Sequence, residues 1–342
     1  MKRAGSLIEE ITDLNNLYLA FYKASKTKQN NDDVILYKQN LYKNLLELQN
    51  QIETGKINTG NYKYFTIYEP KKRLICAASF PERVLHHALM NVCHPIFENQ
   101  QLSISYATRV NKGTYKALEK ALYYSFRNKY YLKLDIRKYF DSISHQILMK
   151  KLETIFKDPM LLYLFHQIID SYQNPTGFKN SLDFTLKKGL PIGNLTSQYF
   201  ANFYLADFDR FIKQNLHLKS YVRYMDDMLI WSNSAQELNI INETIQLFLL
   251  ENLQLKLKYH QINTTKHGVN FLSYRIFNTH IELARKSKKR FIKKMDLYDK
   301  KLKTGELSQK DFQIRVSALI AFTNHASAKG FRKKVFGYEK KD

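Results

Sequence analysis

Tyr224-Met225-Asp226-Asp227 stands between two apolar runs, Tyr221-Val222 and Met228-Leu229-Ile230-Trp231. The pattern is a strand, a tight turn and a returning strand, with two adjacent carboxylates at the tip. Their mutual repulsion opposes ionising both unless a cation lies between them. A surface loop carries such a pair at no cost, but here apolar strands flank it. Such a chain is built to hold a divalent metal in a folded sheet.

A third carboxylate fits the same idea. Leu132, Leu134 and Ile136 alternate along a second strand, which places Asp135 on its other face. If the two strands neighbour each other, Asp135, Asp226 and Asp227 converge. Two metal ions roughly 4 Å apart could then activate a hydroxyl and neutralise a leaving phosphate. Oxygen-only ligands favour Mg²⁺.

The charge balance points to the partner. Among 342 residues, 54 Lys and Arg face 31 Asp and Glu, a formal net charge of +23. With 24 Tyr and 22 Phe, the chain offers cations for phosphates and rings for bases. Two cysteines, Cys76 and Cys93, argue against a disulfide framework and for a reducing compartment. No apolar run reaches the roughly 18 residues that span a bilayer, and Met1-Lys2-Arg3-Ala4 opens no secretory signal. The expectation is a cytoplasmic protein with no membrane partner.

Periodicity predicts helices over 6–24, with Ser6 and Glu9 at capping-box spacing, and over Ile35 to Leu48. A hairpin is predicted over 62–79, turning at Glu69-Pro70-Lys71-Lys72, then a helix over 81–93. Further on come a Ser144-capped helix, an apolar helix over 160–173, a strand and turn from Thr185 to Gly193, and a long helix from Thr196 to Gln214. An amphipathic helix from Ala235 to Asn252 and short strands over Leu255–His260 and Val269–Ile276 follow. From Arg285 onward 18 Lys/Arg outnumber 6 Asp/Glu, yet Phe291, Leu297, Val316, Leu319, Ile320 and Phe322 keep helical spacing. That reads as a small basic helical domain, not a solvated tail. His86, His87, Cys93 and His94 match no compact zinc spacing. Gly189 and Gly193 form no P-loop, since no Gly-Lys-Ser/Thr follows.

Tyr-Met-Asp-Asp together with Leu134-Asp135-Ile136-Arg137-Lys138-Tyr139-Phe140-Asp141-Ser142-Ile143 resembles the palm of a reverse transcriptase. In order along the chain, Glu69-Pro70-Lys71-Lys72-Arg73-Leu74-Ile75 resembles the fingers hairpin and Tyr106 to Thr114 the template-contacting segment. Gly189 to Gln198 is similar to the motif beside the nascent base pair, and Gly268 to Tyr274 to the primer grip.

The resemblance implies an α+β right-hand polymerase with an antiparallel palm sheet and a helical C-terminal thumb. The expected division is an N-terminal helical extension at 1–60, interleaved fingers and palm at 61–282, and a basic thumb at 283–342. It implies that Asp135, Asp226 and Asp227 are the catalytic carboxylates, with the Ile136 carbonyl as a further ligand to two Mg²⁺ ions. Lys72 and Arg73 would clamp the triphosphate and Phe140 would exclude a ribose 2′-hydroxyl. Ile192, Gly193 and Gln198 would line the nucleotide. Lys258, with Lys256 as its alternative, would protonate pyrophosphate. Arg109, Tyr224, Met225, Gly268, Phe271 and Leu272 would touch template or primer. The implied partners are an RNA template, a DNA or RNA primer and dNTPs.

Departures from the common pattern point to a subfamily. Ile192 stands where many reverse transcriptases have Gln, and Gln198 follows Ser197 where many have Pro. That is similar to diversity-generating retroelement enzymes, which copy RNA with errors at adenines during mutagenic retrohoming. Such an enzyme implies a small basic accessory variability protein. Retron, group II intron-like and phage-defence reverse transcriptases are the alternatives; a non-catalytic RNA-binding scaffold is the alternative of another class.

Overall fold

The computed structural model describes residues 3–68, 72–172 and 187–337. The predicted turn at Glu69-Pro70-Lys71 and the start of the predicted Thr185 strand lie outside them. The chain opens with α1 (Ile8–Thr12), α2 (Leu14–Ser25), α3 (Asp32–Gln39) and α4 (Leu41–Thr54). Next come β1 (Lys63–Ile67), β2 (Arg73–Ala77), α5 (Phe80–Asn99), α6 (Thr114–Arg127), β3 (Tyr130–Ile136), α7 (Tyr139–Ser142), α8 (His145–Ile155) and α9 (Pro159–Asp170). They are followed by α10 (Leu195–Tyr204), α11 (Ala206–Arg210), β4 (Tyr221–Tyr224), β5 (Asp227–Ser232), α12 (Ala235–Leu253) and β6 (Leu257–Thr264). The chain closes with β7 (Val269–Phe271), β8 (Tyr274–Ile276), β9 (Ile281–Leu283), α13 (Arg285–Lys303), α14 (Gln309–Thr323) and α15 (Lys329–Val335). No described helix is long and apolar enough to cross a membrane.

Two compact units emerge, both discontinuous. The first comprises residues up to Ser103, Ile136–Leu216 and Ile245–Lys258; the second comprises Ile104–Asp135, His217–Thr244 and Tyr259 onward. In the first, α2 and α5 bury Leu17, Ala20, Val84, Ala88 and Leu89 completely. Around Phe97 the rings of Phe156, Phe165 and Phe200 meet edge-on or tilted, with centroids 5.2–6.5 Å apart. Each buried Phe contributes about 2–3 kcal/mol of apolar transfer.

Several predicted elements need correction. The 6–24 helix is two helices, because Asp13 interrupts it. The Asp13 carboxylate accepts from the Asn15 and Asn16 amides at 2.9 and 3.3 Å and starts α2. Ser6 caps nothing, since its φ is +60°. The Leu7 amide instead donates to Asp158 Oδ2 at 2.9 Å. The Ile35–Leu48 helix breaks at Asn40. From Lys187 to Gly193 there is no strand; Lys188 makes one isolated bridge with Ser144. The long 196–214 helix is α10, α11 and a π-helical turn, Phe211–Asn215. That turn stacks Phe211 on Phe248 at 4.2 Å. Ser144 does cap α8, accepting from the Ile147 amide at 3.4 Å.

The second unit carries a four-stranded sheet in the order β4-β5-β3-β6. Tyr131, Leu229 and Trp231 share one apolar face, and α6 covers it with Ala117, Leu118 and Ala121. Trp231 Nε1 donates to Ser125 Oγ of α6 at 3.0 Å. A separate three-stranded sheet, β7-β8-β9, buries Phe271, Tyr274, Ile276 and Leu283. The Tyr274 hydroxyl donates to the Phe322 carbonyl at 2.7 Å, tying α14 to this sheet.

Candidate active site

β3 and β5 pair antiparallel, and the last pair of their ladder is Asp135 opposite Asp227. Directly opposed residues share a face, with Cβ atoms about 5 Å apart. β4 and β5 form a hairpin closed by Tyr224 opposite Asp227, so Met225 and Asp226 are its two-residue turn. The register thus sets Asp135 opposite Asp227 and leaves Asp226 in the adjoining turn. Along that face the residues change from Tyr131, Trp231 and Leu229 to Lys133, Asp135 and Asp227.

The turn is braced from below. Met225 has φ +57°, a left-handed conformation that disfavours a side chain. Arg223 is completely buried and its Nη1 donates to the Met225 carbonyl at 3.2 Å. The Arg223 amide donates to the Ile104 carbonyl, and the Tyr106 amide donates to the Arg223 carbonyl, both at 3.0 Å. This lashes the 104–106 segment to the edge of the hairpin. Nearby, Arg109 Nη1 reaches the Ser105 carbonyl at 3.5 Å, and Thr114 Oγ1 donates to the Tyr224 hydroxyl at 3.4 Å.

The electrostatics favour a cation. Burial pushes the Asp227 carboxyl up to about 6; Lys133 opposes that shift, and Asp226 and Asp135 reinforce it. Asp227 Oδ1 is shielded from solvent and accepts no well-formed hydrogen bond. Its nearest positive charge is Lys133 Nζ, an ion pair at 3.4 Å. The same Nζ donates to the Asn270 carbonyl at 2.5 Å, linking the carboxylate edge to β7. Sequence reasoning missed Lys133 and Arg223. Lys133 was findable, since it lies two residues before Asp135 on the same strand face. No group of three or more His, Cys, Asp or Glu side chains among the described residues is gathered as a ready metal cage. Even so, a carboxylate oxygen shielded from solvent and without a well-formed hydrogen bond, its counter-charge the Lys133 ammonium, is the kind of hard donor that Mg²⁺ takes.

The other expected primer residues lie on the β7–β8 hairpin. Phe271 is buried in the core, while Leu272 forms the turn at φ +49°. Gly268 has φ +70°, and a Cβ there would meet the Phe277 ring at 3.0 Å. The Ser287 hydroxyl donates to the Ser273 carbonyl at 2.7 Å, fixing the turn against α13.

The expected nucleotide residues belong to the first unit. Lys72 is exposed and Arg73, also exposed, opens β2. The Cys76 amide donates to the Ile192 carbonyl at 2.9 Å, joining β2 to the Gly189–Gly193 segment. Gly193 has φ +136°, and a Cβ would fall 2.5 Å from the Cys76 carbonyl oxygen, so only glycine fits. Ile192 and Gln198 are half-buried. Ile136 is buried at the end of β3. In α7, Tyr139 is the core aromatic, whereas Phe140 is half-buried. Lys256 and Lys258 are both exposed. Of the histidines set aside as ligands, His86 lies 3.6 Å from Glu82 and His94 Nδ1 pairs with the Tyr199 hydroxyl at 3.0 Å.

A profile of the reverse transcriptase (RNA-dependent DNA polymerase) family matches residues 67–276. The chain is a member of that family. Protein YkfC of Escherichia coli is 23% identical, over 56% of this chain and 51% of that one. The putative COX1/OXI3 intron 2 protein of Saccharomyces cerevisiae is 22% identical, over 85% of this chain and 40% of its own length. The chain spans about half, or less, of the curated relatives it matches. Apo telomerase of Candida tropicalis superposes with a TM-score of 0.52 at 12% identity, covering 80% of this chain and 61% of that one. Telomerase of the same organism with a fragment of telomeric RNA gives 0.51, also at 12% identity, covering 87% and 58%. At that identity the likeness shows a shared fold. The reverse transcriptase is thus an α+β right-hand polymerase.

Proposed function

We propose that this reverse transcriptase adds deoxynucleotides to a primer on an RNA template, with Asp135, Asp226 and Asp227 as its catalytic carboxylates. The observation that carries the reading is Asp135 opposite Asp227 in the ladder, with Asp226 in the adjoining turn. These carboxylates and the Ile136 carbonyl would hold Mg²⁺. When bound, the ions supply charge neutralisation for the attacking hydroxyl and the departing pyrophosphate. Lys72 and Arg73 bind triphosphate oxygens. Phe140, half-exposed beside the buried Tyr139, is the steric gate. Arg109, Tyr224 and Met225 position template and primer terminus, helped by the Gly268–Leu272 segment. Lys258 or Lys256 protonates pyrophosphate.

The retroelement type rests on Ile192 and Gln198. An aliphatic side chain beside the nascent pair cannot make the amide contact of a glutamine, and looser contact lowers discrimination. This supports an adenine-mutagenic enzyme of a diversity-generating retroelement, working with a small basic accessory protein. A second reading is favoured by the yeast intron protein that aligns with 85% of the chain: an intron-type enzyme of ordinary accuracy.

Primer extension on RNA with Mg²⁺ and four dNTPs, beside Asp226→Ala, tests both. Loss of extension in the variant, by a factor of about 10³ or more, with errors opposite adenine, is the expected result. Accurate extension that Ile192→Gln leaves unchanged would transfer the assignment to the intron type. An Asp226→Ala protein as active as its parent would overturn the carboxylate assignment.

A further inference from the structure

α6 presents two unlike faces. Ala117, Leu118, Ala121 and Ser125 are buried against the sheet. Lys116, Lys120, Tyr123 and Arg127, at four- and three-residue spacing, form a stripe on another face. In that stripe the cations lie on the rings. Lys120 Nζ is 4.4 Å from the Tyr123 centroid and 4.8 Å from that of Tyr124. The Arg127 guanidinium is 4.6 Å from Tyr123. The loop before α6 continues the pattern, with Lys112 Nζ 4.8 Å from the Tyr106 ring. Tyr106, Lys112, Lys116, Lys120 and Tyr123 line a cavity of about 290 Å³, to which Asn111 and Glu119 also contribute. Glu119 pairs with Lys116 at 3.2 Å, so the lining keeps an excess of positive charge.

We infer that this cavity and the α6 stripe bind single-stranded nucleic acid, one base stacking on Tyr123 while Lys116, Lys120 and Arg127 hold the flanking phosphates. Three features support it. Rings next to cations match the alternation of base and phosphate along a strand. A volume near 300 Å³ is at the small end for ligand pockets and suits one nucleotide. A duplex hides its base faces and could use only the lysines. The stripe extends beyond the Tyr106–Thr114 segment that resembles a template contact. The inference does not need polymerase activity, because a chain unable to extend a primer would still bind here.

The test is anisotropy of the full chain with a labelled RNA strand and a DNA strand of the same sequence, between about 50 and 200 mM salt. Tyr123→Leu is expected to weaken single-strand binding about fivefold or more at every salt concentration. Tyr123→Phe keeps the ring and is expected to retain affinity. Lys116→Ala with Lys120→Ala is expected to flatten the salt slope by about 1.4. The control pair Lys38→Ala with Lys43→Ala carries the same charge change on exposed α3 and α4 positions and is expected to leave the slope unchanged. Equal losses with RNA and DNA would assign the site to any single strand; a loss with RNA alone would assign it to RNA. The inference falls if both lysine pairs change the slope alike, or if Tyr123→Leu binds as tightly as Tyr123→Phe.

Discussion

Lys133 is the residue whose role the strand geometry exposes. Its ammonium joins Asp227 to the Asn270 carbonyl. Lys133→Met keeps the stem and removes the charge. Without Mg²⁺ the variant is expected to be less stable by about 1 kcal/mol, because the half-buried carboxylate loses its counter-charge. Added Mg²⁺ should raise its melting temperature more than it raises the parent's. Equal increments in a thermal melt would show that Lys133 and the cation do not share Asp227. Gly193 is a second case. Gly193→Ala forces a Cβ to within 2.5 Å of the Cys76 carbonyl at a φ that side chains avoid. The expected loss is roughly 2 kcal/mol in denaturant unfolding. Both residues are present in the sequence, but their reasons are not. The carboxylates were legible because charge inside apolar alternation is conspicuous. The Gly193 constraint depends on a strand more than a hundred residues away, which no local pattern encodes.

At the scale of elements, the sequence located most helices and strands but missed what ends them. Periodicity ran through Asp13 and Asn40 because the apolar spacing continues on both sides. The break at Asp13 is capping chemistry, a carboxylate taking two amides at once. The N-terminus of α1 was harder to read, since its acceptor is Asp158. That carboxylate serves two helices: Oδ2 takes the Leu7 amide, and Oδ1 takes the Leu161 amide at 3.2 Å, at the start of α9. Asp158→Ala is therefore expected to cost about 2 kcal/mol, more than an ordinary single cap. Circular dichroism melts would check this; a loss no larger than that of Asp13→Ala would argue against shared capping.

Across the whole molecule, stability should depend on pH through Glu82, which is buried in the first unit beside His86. Burial pushes the Glu82 carboxyl up to about 7, against hydrogen bonds from Gly60 and Tyr62. Burial also pushes His86 down to about 3, with His87 adding to the shift. The pair is thus neutral near pH 6. For a carboxyl raised on folding, the native state keeps its proton while the unfolded chain releases it. The Glu82 contribution therefore falls as pH rises from about 4.5 to 7, while His86, uncharged when folded and protonated when unfolded, adds a contribution that rises between about 3 and 6.5, so the two oppose each other. Glu82→Gln removes the falling contribution and is expected to leave stability rising with pH below about 6.5 in urea titrations; a variant with the parent's pH profile would move the titration to another group. The net charge pointed to a polyanion partner, but the assembly of each unit from three separated segments was not legible, since periodicity carries no information about which strands pair.

That interleaving has a consequence during synthesis. The strand bearing Asp135 lies at the centre of its sheet, yet its neighbour β5 begins roughly 90 residues later. At about 5–20 residues per second, Tyr131, Leu132 and Leu134 leave the ribosome some 5–18 s before β5 is made. For that interval an apolar strand with two open edges depends on α6, already made, or on a chaperone for cover.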